Sequence, residues 1–282
     1  MTPTPDREPL PTYVDDLAPL PEGFWTAVRE GLGSISAQAH ARSGGHAVGG
    51  GSGTGSGTGG LLSEAQLQAV GDHVRLLLAW NAAINLSGIR DPEAMAVEHV
   101  LDSLTALPIL RSAGVEEFLD IGSGGGYPGL PLAVALPARR ALLVESVGKK
   151  ARFLAAAVEV AGLRGSVSVA STRAETLAAD PRHRGHWQAV TVRAVAEMGE
   201  LVELALPLLT VGGLLVAWKR SPAEEELARA GTAIHQLRGR LVRLEPVTVP
   251  GLEDHVLAVV EKIGETPAQY PRDPAARRRR PL

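Results

Sequence analysis

The stretch Phe118-Leu-Asp-Ile-Gly-Ser-Gly-Gly-Gly-Tyr-Pro-Gly129 decides the fold. An apolar run ends at Asp120, five glycines follow within eight positions, and Pro128 precedes the apolar segment Leu130 to Leu136. That order predicts a strand, a tight loop and a helix. Glycine tolerates positive φ and lets a ligand approach the backbone, and proline suits a first helical turn, where its missing N–H is not needed. A helix N-terminus facing such a loop is a ready cradle for a ligand.

Outward from this stretch, the chain after Glu116 alternates short apolar strands with amphipathic helices. Strands are predicted at 116–121, 141–145, 166–170, 187–193 and 213–219. Helices are predicted at 128–136, 149–161, 173–178, 197–209 and 222–239. Continuous apolar strands between such helices imply a mostly parallel sheet covered on both faces. Two further strands, near 241–248 and 255–262, have no helix between them and predict an antiparallel hairpin at the sheet edge. A domain over 116–265 follows, with a basic C-terminal tail over 266–282.

Before the sheet, residues 22–115 predict a small N-terminal helical cap. Ser63 and Gln66 form a capping box, flanked by Leu62 and Leu67 as a hydrophobic staple. Leu67, Val70, Val74, Leu77 and Leu78 then recur at helical spacing, the pattern of a core face. Asp91-Pro92 opens a further helix. On it, Glu98, His99, Asp102 and Ser103 superficially offer Ser, His and Asp together. A true triad gathers its members from distant segments onto a strained nucleophile, so hydrogen bonding between helix and domain is expected instead. Residues 1–21, rich in Pro, Thr and Asp, read as a disordered leader. About 34–60 reads as a flexible Gly/Ser-rich insert dispensable for folding: ten glycines lie between Gly44 and Gly60, and long surface loops cost little.

Composition narrows the function. The 282 residues are 45% hydrophobic and 21% charged, with 28 Lys plus Arg against 31 Asp plus Glu for a net charge of -3. One sizeable core is expected, and any nucleic-acid affinity must come from local patches. The absence of cysteine excludes disulfides, thiolate metal sites and a cysteine nucleophile. No metal site is expected. The chain has neither an apolar run approaching ~20 residues nor the basic start and apolar core of a signal peptide, so a cytoplasmic protein away from membranes is expected.

In doubly wound sheets, ligands sit beyond the carboxyl ends of the strands near the switch point. Asp120, Glu145 and the Arg173-Ala-Glu175 turn converge there. Gly124-Gly-Gly126-Tyr-Pro-Gly129 fits G-x-G-x-x-G, and Glu145 suits a ribose diol, so dinucleotides and S-adenosylmethionine are served alike. A carboxylate at Asp120 would repel a pyrophosphate but can orient an amino acid moiety. With the edge hairpin, this favours the sulfonium compound.

Several stretches carry a closer resemblance: Asn85-Leu-Ser-Gly-Ile-Arg-Asp-Pro-Glu93, His99-Val-Leu-Asp-Ser-Leu104, Asp120 through Pro131, Glu145-Ser-Val-Gly-Lys-Lys-Ala-Arg-Phe-Leu154, Val192-Arg-Ala-Val-Ala196 and Thr266-Pro-Ala-Gln-Tyr-Pro-Arg272. Over about residues 22–33 and 61–282 the chain resembles the RsmG or GidB family of bacterial 16S rRNA guanine-N7 methyltransferases. The resemblance implies a class I, Rossmann-like methyltransferase fold and S-adenosylmethionine as donor. It also implies a guanine in the decoding-region loop of the small ribosomal subunit as target. Carried onto this sequence, the donor site comprises Gly122, Tyr127, Ala174, Glu175 and Arg193, joining Asp120, Gly124, Gly126 and Glu145. Glu145 stands where the family usually has Asp, Tyr127 where Phe or Leu is common, and the insert splits an otherwise compact cap. Guanine N7 has an in-plane lone pair and no proton, so alignment rather than a general base is expected. Arg193 either positions the reacting groups or pairs with Asp120 or Glu175. Lys149, Lys150, Arg152, Lys219, Arg220 and Arg277 to Arg280 are candidate phosphate contacts. No feature fixes the oligomeric state, and a monomer is expected.

Overall fold

The structure, a computed structural model, describes residues 10–42 and 60–282. Three helices of the cap come first: α1 (Glu22–Arg42), α2 (Glu64–Asn81) and α3, in which the turns Pro92–Met95 and Asp102–Leu104 flank a π-helical stretch, Ala96–Leu101. A short α4 (Leu107–Ser112) leads into the sheet. Then follow β1 (Glu117–Ile121), α5 (Gly129–Ala135), β2 (Arg140–Val144), α6 (Gly148–Val160), β3 (Val167–Ala170) and α7 (Ala174–Ala179). The second half comprises β4 (Trp187–Arg193), α8 (Met198–Ala205), β5 (Leu209–Arg220), α9 (Glu224–Gln236), β6 (Gly239–Pro246), β7 (His255–Lys262) and α10 (Pro274–Arg279). No helix among the described residues is long and apolar enough to cross a membrane.

The seven strands lie in the order β3-β2-β1-β4-β5-β7-β6. β1 to β5 pair in parallel, and β7 runs antiparallel to both β5 and β6. This is the expected class I methyltransferase sheet, with its antiparallel hairpin at the edge. The direction of winding reverses between β1 and β4, which places the switch point beside the glycine loop. Two boundaries differ appreciably from the sequence reading: β5 begins at Leu209 rather than 213, and the helix before it is shorter. α8 stops at Ala205 rather than near 209: Leu206 keeps helical angles, but Pro207 has no N–H with which to continue the ladder.

Strand alternation sorts the molecule into two cores. Phe118, Ala189, Val216 and Trp218 face the cap helices together with α5 and α6, while Leu119, Ile121, Val190, Val192 and Ala217 face α7, α8 and α9. The cap therefore has no separate core. Its Val74, Leu77, Met95, Leu101 and Leu104 are buried in the same cluster as the first sheet face. The capping box at Ser63 and Gln66 forms as expected, with both reciprocal bonds present.

Three expected segments take a different form. Residues 10–21 lie against α2 rather than forming a free leader: Arg75 donates to the Val14, Leu17 and Ala18 carbonyls, Trp80 Nε1 donates to Pro11 O at 2.6 Å, and Leu20 is buried. The rest of that leader lies outside the described residues. The insert does not begin at 34, because α1 continues to Arg42, buries Ile35 and sends Gln38 Nε2 to Pro246 O at 2.9 Å. The alanine-rich run Ser-Ile-Ser-Ala-Gln-Ala-His-Ala-Arg has the propensity for this. The glycine-rich part, 43–59, lies outside the described residues. The tail over 266–282 is docked rather than loose. Arg184 donates to the Tyr270, Thr266 and Pro267 carbonyls, and Arg272 grips the buried Glu203 with Nε, its second guanidinium nitrogen and its backbone N–H.

Ile35→Ala is therefore expected to lower stability by about 2–4 kcal/mol. A short Gly-Ser linker in place of residues 43–59 should leave the urea midpoint close to wild type. The same linker replacing 36–59 should lower it. Equal midpoints for the two linkers would show that the end of α1 contributes nothing.

Candidate functional site

The loop after β1 is held from beneath. Gly122 and Ser123 donate their N–H groups to Val144 O at 2.9 and 3.1 Å, and Ser123 Oγ donates back to Asp120 O. Glu145, buried at the end of β2, accepts from Gly124 N at 3.0 Å through Oε2 and from Val147 N at 2.7 Å through Oε1. Its neighbours Val144 and Ser146 line the cleft above. In this structure Glu145 thus staples the glycine loop to the next turn. Glu145 itself is at none of the cavity walls described below, so its expected contact with a ligand is not part of this geometry.

Two glycines are dictated by what surrounds them. Gly122 has φ +70°, and a Cβ there would lie 2.7 Å from Val195 Cγ2; one at Gly126 would lie 2.7 Å from His73 Nε2.

Among the described residues three cavities border the segment Arg193–Ala196: one of about 380 Å³ lies under the C-terminal segment, between Glu197, Arg229 and Arg278, and two open along the carboxyl edge of the sheet. The first of these two, about 170 Å³, is walled by Gly122, Val144, Ser146, Ala174 and Glu175, with Arg277. The second, about 430 Å³, is walled by Ile89, Glu98, His99, Arg193, Trp218 and His255. Gly122, Ala174, Glu175 and Arg193 are therefore at cavity walls. Asp120 is not. It shares the cap-facing side of β1 with Phe118, accepts from Thr191 Oγ1 at 2.7 Å and approaches the backbone of Gly129. Burial pushes its carboxyl up to about 6. Asp120 shapes the loop from below instead of opening toward a ligand, which corrects the sequence expectation. Gly124 and Gly126 likewise shape the loop, and Tyr127 is enclosed between the rings of His73 and His99, each 4.7 Å away, with Arg193 over its face at 5.6 Å. Burial raises the Tyr127 phenol above its ordinary range.

Arg193 pairs with neither Asp120 nor Glu175. Its NH1 donates to Asp102 Oδ2 at 2.7 Å and to Glu98 O at 2.9 Å, and NH2 lies 3.4 Å from His99 Nδ1. For Glu175 the reason is alternation, since Arg193 shares its strand face with Ala189 and Thr191, toward the cap, whereas Glu175 sits on α7 across the sheet; Asp120 faces the cap too but stands opposite Thr191, two residues short of Arg193, and accepts the Thr191 hydroxyl instead. Asp102, only 1% exposed, also bonds His255 Nδ1 at 2.8 Å, and its carbonyl accepts from Trp218 Nε1 at 2.8 Å. His99 Nε2 meets Ser87 Oγ at 2.6 Å, and His73 Nε2 meets Gly125 O at 2.8 Å. Burial pulls both imidazoles down to about 4, the Arg193 charge adding to the effect at His99.

The hydrogen bonding between helix and domain expected of His99 and Asp102 is present, whereas His73, Trp218 and His255 join the same cluster without any signal in the sequence. His73 lies on the buried face of α2 beside Val74, where nothing in the sequence sets it apart, and the π-helical turn at 96–101, a feature common at functional sites, distinguishes α3. Among the expected phosphate contacts, Lys149 and Arg152 are exposed at the start of α6, with Lys150 half-buried. Arg220 is exposed and pairs with Asp254. Lys219 turns inward to Glu226 at 2.6 Å and Ala196 O at 3.0 Å. Arg277 is buried, leaving Arg278, Arg279 and Arg280 exposed. Lys219 and Arg277 are thus committed to internal carboxylates and are withdrawn from that set.

The family model described as rRNA small subunit methyltransferase G, GidB, matches residues 66–250. The ribosomal RNA small subunit methyltransferase G of Roseiflexus sp. (strain RS-1) is 45% identical over 221 residues, covering 78% of this chain and 94% of that protein. That of Dehalococcoides mccartyi (strain CBDB1) is 42% identical over 212 residues, covering 75% and 89%. That of Limosilactobacillus reuteri (strain DSM 20016) is 39% identical over 226 residues, covering 78% and 93%. With the family model spanning well over half of its length and relatives matched almost end to end, the chain belongs to the GidB family of rRNA small subunit methyltransferase G proteins.

Proposed function

We propose that this protein is a cytoplasmic 16S rRNA methyltransferase that carries a methyl group from S-adenosylmethionine to N7 of a guanine in the decoding-region loop, acting as a monomer. The observation that carries the reading is the pair of cavities flanking Arg193–Ala196 at the switch point of the sheet. The first suits the adenosine half of the donor: apolar walls at Ile121, Val144, Ala174 and Leu204 sit beside the polar Ser146 and Glu175. Gly122 lets the ligand close on the backbone, and Glu145 keeps the loop in place. The second cavity is assigned to the target base, between Ile89 and Trp218.

When bound, S-adenosylmethionine supplies a methyl group on a positively charged sulfur. The residues of the chain have to align guanine N7 with it and exclude water; they remove no proton, because N7 carries none. Arg193 is the aligning group. NH1 is spent on Asp102 and Glu98 and NH2 lies against His99 Nδ1, which fixes the plane of the guanidinium and leaves Nε and the remaining NH2 proton for an acceptor on donor or base. Lys149, Lys150, Arg152, Arg220 and Arg278 to Arg280 supply phosphate contacts that hold the RNA without reading its sequence.

The reading is tested by mapping N7-methylguanine in small-subunit RNA from a strain lacking this protein, and by titrating the pure protein with S-adenosylmethionine and with NAD. Loss of one methyl group and binding of the first ligand alone are expected. Gly122→Val should abolish donor binding with a native circular dichroism spectrum, since a branched side chain resists φ +70°. Arg193→Lys keeps the charge but loses the planar fork, so single-turnover transfer should fall about 100-fold with only a small loss of thermal stability. Near-normal transfer by this variant would remove Arg193 from the reacting centre.

The pH profile separates this scheme from acid–base catalysis. Transfer should be flat from about pH 6.5 to 9, not bell-shaped. Stability should fall as pH drops from 6.5 toward about 4, because the unfolded chain takes up protons that buried His73 and His99 refuse. Each contributes a slope of up to about 1.4 kcal/mol per pH unit, and His99→Gln should remove one such share in urea titrations.

A further inference from the structure

The C-terminal helix α10 lies outside the residues that the family model matches, yet it reaches the first cavity. Its Arg277 is only 8% exposed. One terminal nitrogen lies 3.4 Å from Glu175 Oε1 on α7, and the other donates to Arg272 O at 3.0 Å. Nε is buried with no hydrogen-bond partner among the described residues; Glu200 Oε1 stands 3.4 Å away without the geometry of one. A buried donor with no acceptor costs about 1–3 kcal/mol, more for a charged group, so its persistence in the wall of a cavity needs an explanation. The segment that carries it is firmly anchored: Arg272 holds Glu203, which is 1% exposed, and Asp273 caps α10 through the Ala275 and Ala276 N–H groups.

We infer that Arg277 is a donor-binding residue, whose guanidinium closes the adenosine end of the first cavity and donates from Nε to an acceptor on the adenosine half of the bound donor. The inference rests on the proposal that this cavity takes S-adenosylmethionine. The second role of the side chain is to hold the Glu175 carboxylate at the same wall. The acidic pair Glu175 and Glu200 keeps the guanidinium in place when the cavity is empty of ligand, and α10 thereby makes the C-terminal segment part of the site.

The test is calorimetric titration of the full-length protein and of its Arg277→Ala and Arg277→Gln variants with S-adenosylmethionine, S-adenosylhomocysteine and 5′-methylthioadenosine, which lacks the amino acid part. Because the contact is to adenosine, all three should weaken by the same factor, about tenfold, in whichever variant melts like wild type. The Michaelis constant for the donor should rise by a similar factor. Affinities within twofold of wild type, or weakening confined to the two ligands that carry the amino acid, would overturn the inference. Wild-type protein that binds none of the three would overturn the donor reading itself, and this inference with it; wild-type binding with unchanged variants overturns this inference alone.

Discussion

The carboxylate of Asp102 is the point on which the arrangement of cap and sheet depends. It sits on the cap helix α3, is withdrawn from water, and is met by Arg193 from β4 and His255 from β7, while its own carbonyl takes the Trp218 N–H from β5. Three neighbouring strands are thereby tied to one turn of one helix. A buried pair of this kind contributes little net stability, but removing one partner costs about 3–5 kcal/mol because the other charge is stranded. Its value lies in register. The cap cannot slide over the sheet without breaking all of these bonds, so the Arg193 guanidinium stays where the second cavity needs it.

The second constraint is the two-residue period of the strands. On β1 it sends Asp120 toward the cap and Ile121 toward α7; on β4 it sends Arg193 one way and Val192 the other. The two cavities are therefore different in kind. One is built on the α7 and α8 side from apolar strand ends and a helix carboxylate, the other on the cap side from aromatic rings and fixed polar groups. A ligand that spans the edge of the sheet meets an apolar slot at one end and an oriented guanidinium at the other.

Around Arg193, burial keeps groups neutral that would otherwise charge. His73, Tyr127 and His99 form a column of rings beneath the glycine loop, and both imidazoles are held well below their ordinary range. Protonating His99 would place a second positive charge beside Arg193 in a region with little water to screen it. The same column fills the space under Gly126, which is why that position accepts no side chain.

What the sequence determined by itself was local. The glycine loop, the strand and helix alternation, the edge hairpin, the capping box at Ser63 and the Asp91-Pro92 helix start all follow from backbone preferences and short-range periodicity, and each stands where those preferences put it. Gly122, Ala174, Glu175 and Arg193 reach cavity walls because residues at the carboxyl ends of parallel strands, or just after them, must lie at one edge. Only the tertiary structure decided the rest. Which carboxylate Arg193 meets depends on which face of the sheet the cap covers, and a lone His99 or Asp102 on an amphipathic helix carries no mark of that. Whether Lys219 and Arg277 face RNA or an internal glutamate depends on residues such as Glu226 and Glu175, at long range for Arg277. The reach of α1 past Ser34 and the docking of residues 10–21 and 266–282 were likewise hidden. Weakly apolar or basic segments become ordered only when a preformed surface supplies acceptors and a groove, and that surface exists only once the sheet has closed.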